Sequence, residues 1–303
     1  MASSAIHIDG LTKRFGTFTA LDRLTLDVAV GEVFGFLGPN GAGKSTTLRL
    51  LLGLIRPTAG SATIMGIDVG NVRAAHRHLA FVPGDVNLWP KLTGGECLEL
   101  LANFHGDVDR AYRAALVERF QLDLAKKART YSKGNRQKVA LVAAFATRAE
   151  VLLLDEPTSG LDPLMEKEFR SCVSEAAGRG QTVLLSSHLL AEVESLCARV
   201  GILREGRLVE VAPIDQLRAL RKSELEIDFE GAPPDLRSVS GVAQITTTPA
   251  GVRLTLNGPP GPVLQAIAAS NVTGIRSQEA SLEEIFLTYY GSDGRGRGAS
   301  GSN

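Results

Sequence analysis

The spacing of hydrophobic and polar positions changes several times along the chain. Ile6–Asp9 and Leu24–Val28 alternate, and Glu32–Leu37 is nearly all apolar, so each predicts a β-strand. Gly38–Gly43 interrupts the pattern with glycines. Leu48, Leu51, Leu52 and Ile55 then recur three and four apart and predict a helix over Lys44–Ile55, bracketed by Gly53 and Pro57. From residue 92 to 148 the period is helical, most clearly over Gly95–His105 and Arg110–Phe120. Val151–Leu154, Thr182–Ser186 and Val200–Leu203 are short apolar runs of the kind that form buried parallel strands. These elements predict an α/β domain over 1–222, its mostly parallel sheet interrupted by a helical subdomain over about 89–148.

Past residue 222 the texture changes. Leu225, Ile227 and Phe229 alternate with acids, and Val252, Leu254 and Leu256 alternate likewise. Pro262–Ala269 and Leu282–Tyr290 read as helices, the second with Ser281 and Glu284 at capping-box spacing. A small α+β domain over 223–290 follows from this, with 291–303, rich in Gly, Ser and Arg, as a disordered tail.

Composition adds exclusions. The chain has 303 residues, 44% hydrophobic and 22% charged, with Lys+Arg and Asp+Glu both 33. Zero net charge argues against a protein whose main task is gripping nucleic acid. Cys97, Cys172 and Cys197 are too few and too scattered for a disulfide framework, and none is in a C-x-x-C pair, so neither a zinc site nor a redox motif is suggested. No apolar run approaches the ~18 residues that span a bilayer. Met1–Asp9 lacks a basic segment followed by an apolar one, so no secretory signal is read. The expectation is a cytoplasmic chain that reaches a membrane only through another protein.

The chemistry lies in two places. Gly38-Pro39-Asn40-Gly41-Ala42-Gly43-Lys44-Ser45 fits G-x-x-x-x-G-K-[ST], between a strand and a helix. The glycines let backbone N–H groups turn around phosphate oxygens, Lys44 supplies charge for the β and γ phosphates, and Ser45 offers Mg²⁺ a hydroxyl. The apolar strand Val151–Leu154 ends in Asp155-Glu156, which puts carboxylates at a sheet edge beside that loop. Asp155 then suits Mg²⁺, and Glu156 suits polarising the attacking water. Together they specify an Mg-nucleotide hydrolase but not its lineage.

The lineage comes from the segments around them. Tyr131-Ser132-Lys133-Gly134-Asn135-Arg136-Gln137 precedes the acidic pair, Ser159-Gly160-Leu161-Asp162 follows it, and His188 ends the next apolar run. With these, the chain over Ile6–Leu220 resembles the ATP-binding cassette family, the ATPase subunits of ABC transporters. The resemblance implies a P-loop NTPase (RecA-like) core and ATP with Mg²⁺ as cofactors. It implies that Gly38–Thr46, with Thr46 included, is the phosphate loop. Ser132, Gly134 and Asn135 would belong to the signature that reaches ATP on the opposite subunit. Asp162 would lie in the D-loop, and His188 would be the switch histidine that contacts the γ-phosphate. A histidine elsewhere would be read as surface or core; its place after the strand and Ser186-Ser187 decides otherwise. Phe15 falls where the family stacks an aromatic on adenine, with packing as the rival reading. Catalysis would rest on Glu156, His188 and Lys44, and metal binding on Ser45 and Asp155.

Two departures stand out. Gly84, in Leu79-Ala80-Phe81-Val82-Pro83-Gly84-Asp85, takes a position that the family usually fills with Gln, with Asp85 as a substitute of different shape. Lys133 and Asn135 replace the usual Gly and Gln of the signature. Trp89 and Pro90 sit where the family faces its membrane subunit, by partner contact or by packing. The resemblance implies a homodimer or pseudo-dimer of cassettes at the cytoplasmic face of the membrane, driving a separate transmembrane permease. Residues 38–47, 160–163 and 281–287 look most like the drug and antibiotic efflux branch. The alternative is a regulatory or soluble cassette with weak turnover.

Overall fold

A computed structural model describes residues 4–106, 108–219 and 223–279. Two compact units divide between Ile214 and Asp215. The first opens with a long hairpin, β1 (Ser4–Phe15) and β2 (Phe18–Ala29). Only part of it shows as alternation in the sequence. Gly10, at φ 56°, sits in a register shift between Ile8 and Leu11. The extra residue returns Leu11 to the buried face and breaks the period of two while the strand continues.

β3 (Val33–Leu37) leads through the glycine loop into α1 (Lys44–Leu51). The helix stops short of the predicted Ile55. Gly53 turns left-handed at φ 65°, and the Leu54 N–H donates to the Arg49 carbonyl at 2.9 Å. β4 (Ala59–Ile64) and β5 (Ile67–Asp68) extend the hairpin into an antiparallel sheet ordered β2-β1-β4-β5. α2 (Val72–Ala75) and β6 (Leu79–Val82) follow.

The helical insertion holds α3 (Gly94–His105), α4 (Arg110–Arg119) and α5 (Lys133–Ala146). Each starts on a side-chain cap: Thr93 with Glu96 in a reciprocal box, Asp109, and Ser132. The chain then alternates strand and helix through β7 (Val151–Asp155), α6 (Pro163–Gly178), β8 (Thr182–Ser187), α7 (Leu190–Leu196) and β9 (Arg199–Arg204), and ends in β10 (Arg207–Pro213).

The second sheet runs β10-β9-β3-β8-β7-β6. Its five strands from β9 to β6 are parallel, and β10 is an antiparallel edge. Phe34, Phe36, Leu153 and Leu184 are fully buried, as expected for strands covered on both faces. Register places the carboxyl ends of four strands side by side: Leu37 opposite Ser187, Ser186 opposite Asp155, and Leu154 opposite Val82. Ligands of open α/β sheets bind outside these ends.

Ile214 is buried, and its N–H donates to Ala198 at 2.9 Å. This closes the first unit ahead of the boundary read at 222, and α8 (Ile214–Ala219) begins there. The second unit holds β11 (Ser223–Phe229), β12 (Val242–Thr247), β13 (Gly251–Leu256), α9 (Gly261–Ile267) and β14 (Val272–Glu279). Its antiparallel sheet, β12-β13-β11-β14, packs Leu225, Ile227, Leu254 and Leu256 with Val263 and Ile267 of α9. The helix predicted over Leu282–Tyr290 and the tail 291–303 lie outside the described residues.

Candidate nucleotide site

The loop between β3 and α1 is shaped by steric necessity. Gly41 and Gly43 have φ of 82° and 111°, conformations that favour glycine. A Cβ at Gly38 would stand 2.3 Å from the Leu203 carbonyl oxygen. The Ala42 N–H donates to Pro39 at 3.1 Å, closing the turn, and Asn40 and Gly41 are exposed at its tip. Lys44 is buried, and its Nζ donates to the carbonyls of Gly38 at 2.6 Å and Pro39 at 3.1 Å. Burial pushes its pKa down, while Glu156 and Asp155 hold it up, so both acids lie within electrostatic reach of the ammonium. Ser45 and Thr46 follow on the half-buried first turn of α1.

The acids occupy the end of β7. The Ser186 hydroxyl donates to Asp155 Oδ1 and fixes the carboxylate. Glu156 has φ 45°, an uncommon value for a residue with a side chain. Two backbone bonds hold it there: its N–H donates to Ser186 at 3.0 Å, and its carbonyl accepts from Ser159 at 3.1 Å. One Glu156 oxygen, Oε1, lies 3.1 Å from His188 Nδ1. Gly84 adjoins the pair, because a Cβ there would lie 3.2 Å from the Asp155 carbonyl oxygen and 3.7 Å from Glu156 Cβ. The structure thus brings Lys44, Asp155, Glu156, His188 and Gly84 to the ends of adjacent strands.

The segment 132–135, read in sequence as the signature, stands apart from this group and packs on 159–160 of the same chain. Ser132 caps α5 by accepting from the Asn135 N–H at 3.2 Å. A Cβ at Gly134 would sit 2.3 Å from the Gly160 carbonyl oxygen, so only glycine allows the approach. Asp162 caps α6, accepting from Leu164 and Met165 at 3.1 and 3.0 Å. Phe15, at the hairpin tip, is 49% exposed, with Lys13 Nζ 4.9 Å from its ring centroid. Phe18, opposite it in register and 63% exposed, is a second aromatic that the sequence pattern did not single out.

The ABC transporter family model matches residues 21–159. The daunorubicin resistance ATP-binding protein of Streptomyces coeruleorubidus is 36% identical over 97% of this chain and 98% of its own length. This chain belongs to the ABC transporter ATP-binding family. The bacitracin transport ATP-binding protein of Bacillus licheniformis is 37% identical over 75% of this chain and 76% of its own. Among solved structures, an ATP-binding subunit of an ABC transporter superposes with a TM-score of 0.66 at 32% identity, covering 71% of this chain and 92% of that one. A dimeric ATP-binding cassette in a post-hydrolysis state, bound to ADP and Pi, gives 0.63 at 25% identity over 69% and 98%. The ABC cassette has the P-loop NTPase fold, binds nucleotide and hydrolyses ATP.

One group of this cassette escaped the sequence reading. Glu192, on α7, accepts from the Ser187 hydroxyl at 2.6 Å, and its Oε1 is buried without a hydrogen-bond partner. It lies one helical turn past His188 in sequence. Burial pushes its carboxyl above the usual 4.5; Glu166 and Glu156 add to that, and Ser187 and Thr158 oppose it. The folded state therefore binds this proton more tightly than the unfolded one. Its contribution to stability falls as pH rises from the ordinary carboxylate range through the raised value. Glu192→Gln is expected to raise the melting temperature by about 2–4 °C at pH 8 and by clearly less at pH 5. Equal shifts at both pH values would show that the proton is irrelevant.

Proposed function

We propose that two such cassettes, identical or paralogous, close around two Mg-ATP and drive a separate transmembrane permease that exports a drug, an antibiotic or another hydrophobic compound. The observation that carries the reading is the convergence of Lys44, Asp155, the Glu156–His188 pair and the glycine loop on one sheet edge. The export direction and cargo class follow the relatives named for daunorubicin resistance and bacitracin transport.

The backbone N–H groups of Gly41 and Gly43 and the N-terminus of α1 bind phosphate oxygens, and Lys44 exchanges its two carbonyl partners for them. Ser45 and Asp155 offer only oxygen donors, which fits Mg²⁺, an ion content with one or two protein ligands. When bound, Mg²⁺ neutralises charge on the phosphates. Asp155 is oriented for it by Ser186. Glu156 takes a proton from the attacking water, and His188 holds Glu156 through Nδ1, leaving Nε2 for the γ-phosphate. Ser132 and the N-terminus of α5 face the γ-phosphate on the partner cassette. Phe15 stacks on adenine. The γ-phosphate is thus held from both chains, and its loss lets them open.

The permease side is the groove between β6 and α3, about 730 Å³, lined by Leu54, Phe81, Trp89, Leu98, Leu101 and Phe104. Leu54, Trp89 and Phe104 are 64%, 41% and 74% exposed, an apolar patch that suits a helix end of the permease at the cytoplasmic face. No described helix is long and apolar enough to cross a membrane. In proteoliposomes with the permease, Mg²⁺-ATPase is expected to depend on both proteins. Trp89→Ala is expected to weaken their association about 30-fold, as for an aromatic anchor worth about 2 kcal/mol. ATPase indifferent to the permease would defeat the transporter reading. Undetectable turnover with the permease present would favour a regulatory cassette, the reading that Gly84 supports.

A further inference from the structure

Lys133 is an unusual opening residue for a helix. A cation at a helix N-terminus opposes the helix dipole, and the first turn of α5 holds no acid to offset it. The ammonium is engaged elsewhere: Nζ donates to Ser159 Oγ at 2.6 Å. The stem lies along the D-loop, since a Cβ at Gly160 would meet Lys133 Cγ and Cδ at 3.3 Å. Two contacts therefore tie the signature to the D-loop within one chain, the Gly134–Gly160 backbone approach and the Lys133–Ser159 bond.

Ser159 is also the residue whose N–H donates to the Glu156 carbonyl at 3.1 Å. That turn helps to hold Glu156 at its left-handed φ of 45°, from which its side chain meets His188. A short path thus runs from the Lys133 ammonium through the Ser159 hydroxyl and amide to the backbone of the proposed general base. No atom of Lys133 need touch nucleotide for this path to operate.

We propose that Lys133 is a positioning residue for Glu156, acting through Ser159. The inference rests on the reading of Glu156 as the general base and of the signature as the surface that meets the partner's ATP. Under that reading the bond reports trans occupancy to the cis site. When γ-phosphate seats the signature, Lys133 carries the D-loop with it and sets the Glu156 turn.

The test is steady-state Mg²⁺-ATPase of the full chain reconstituted with its permease, for Lys133→Met, Ser159→Ala, the double variant and Lys133→Arg. Each single neutral variant is expected to lower kcat about three- to tenfold, the scale of one ordinary hydrogen bond, since solvent screens the exposed ammonium, with KM for ATP unchanged. The double variant is expected to be no slower than the singles, because both remove the same bond. Lys133→Arg, which can still donate to Ser159, is expected to recover most of the rate. A raised KM in Lys133→Met with Ser159→Ala like wild type would overturn the proposal, since the charge would then act on phosphate directly. Wild-type kcat in both singles, or losses that multiply in the double, would overturn it too. Matching melting temperatures exclude misfolding, because Lys133 is exposed and Ser159 half-exposed. Glu156→Gln is run alongside: a variant that keeps turnover removes Glu156 from its role, and the coupling falls with it. Loss there with no effect at Lys133 removes the coupling alone.

Discussion

Glu156→Gln is expected to lower steady-state ATP turnover about 10²–10⁴-fold, the usual cost of losing a positioned base, while ATP binding survives. The substitution changes little else. Glutamine has the same length, and its amide oxygen can still accept from His188 Nδ1, the 3.1 Å contact made by Glu156 Oε1. The φ of 45° is no harder for Gln than for Glu, and the bonds to Ser186 and from Ser159 that hold it are backbone to backbone. The ion contacts assigned to Ser45 and Asp155 do not involve this side chain. Binding without cleavage keeps the γ-phosphate in place, so the variant is expected to accumulate as an ATP-dependent dimer. Size-exclusion chromatography with Mg-ATP reads the dimer, and phosphate release reads the turnover. A variant that dimerises and hydrolyses at the wild-type rate would remove Glu156 from the mechanism and pass the role to another group on the same edge.

Much of this site is legible in sequence because its chemistry is local. Gly38–Ser45 needs its glycines, its lysine and its hydroxyl within one loop, and Asp155-Glu156 needs only an apolar strand before it. The parallel strands are legible for the same reason: burial on both faces leaves an uninterrupted apolar run, as in Val151–Leu154. Strands exposed on one side were read in part or missed. The Gly10 bulge broke the alternation of β1, and β12 and β14 occupy edges of the second unit, where burial enforces no strict period. Pairings across the sheet were not legible at all. Nothing local in the chain announces that Ser186 will hold Asp155 or that Lys133 will find Ser159. Gly84 is the intermediate case. Its departure from the family pattern is visible in sequence, but only the structure puts it against the backbone of Asp155.

Lys44→Met is expected to fail in the opposite way, losing ATP affinity about 10- to 100-fold, the equivalent of one charge-assisted hydrogen bond of about 1.5–3 kcal/mol. The ammonium lies under the loop, bonded to the Gly38 and Pro39 carbonyls, and burial already weighs against its charge. Methionine fills much the same volume without that charge. Two hydrogen bonds are lost, but so is the cost of desolvating an ion, and these partly cancel. The loop itself is held by other bonds, Ala42 to Pro39 at 3.1 Å and Thr47 to Gly43 at 2.9 Å. Folding stability is therefore expected to move by no more than about 1 kcal/mol, while the anion site loses the positive charge that Lys44 places beneath its loop. Isothermal titration with ATP reads the affinity, and a thermal melt without nucleotide reads the fold. The two substitutions then separate the steps. Glu156→Gln binds and stays closed; Lys44→Met stays open at ATP concentrations that close the wild type, and closes again when ATP is raised in proportion. A Lys44→Met cassette that bound ATP as tightly as wild type would show that the backbone N–H groups and the helix end suffice for the phosphates. The charge of Lys44 would then matter only as the γ-phosphate leaves, and its loss would appear in kcat alone.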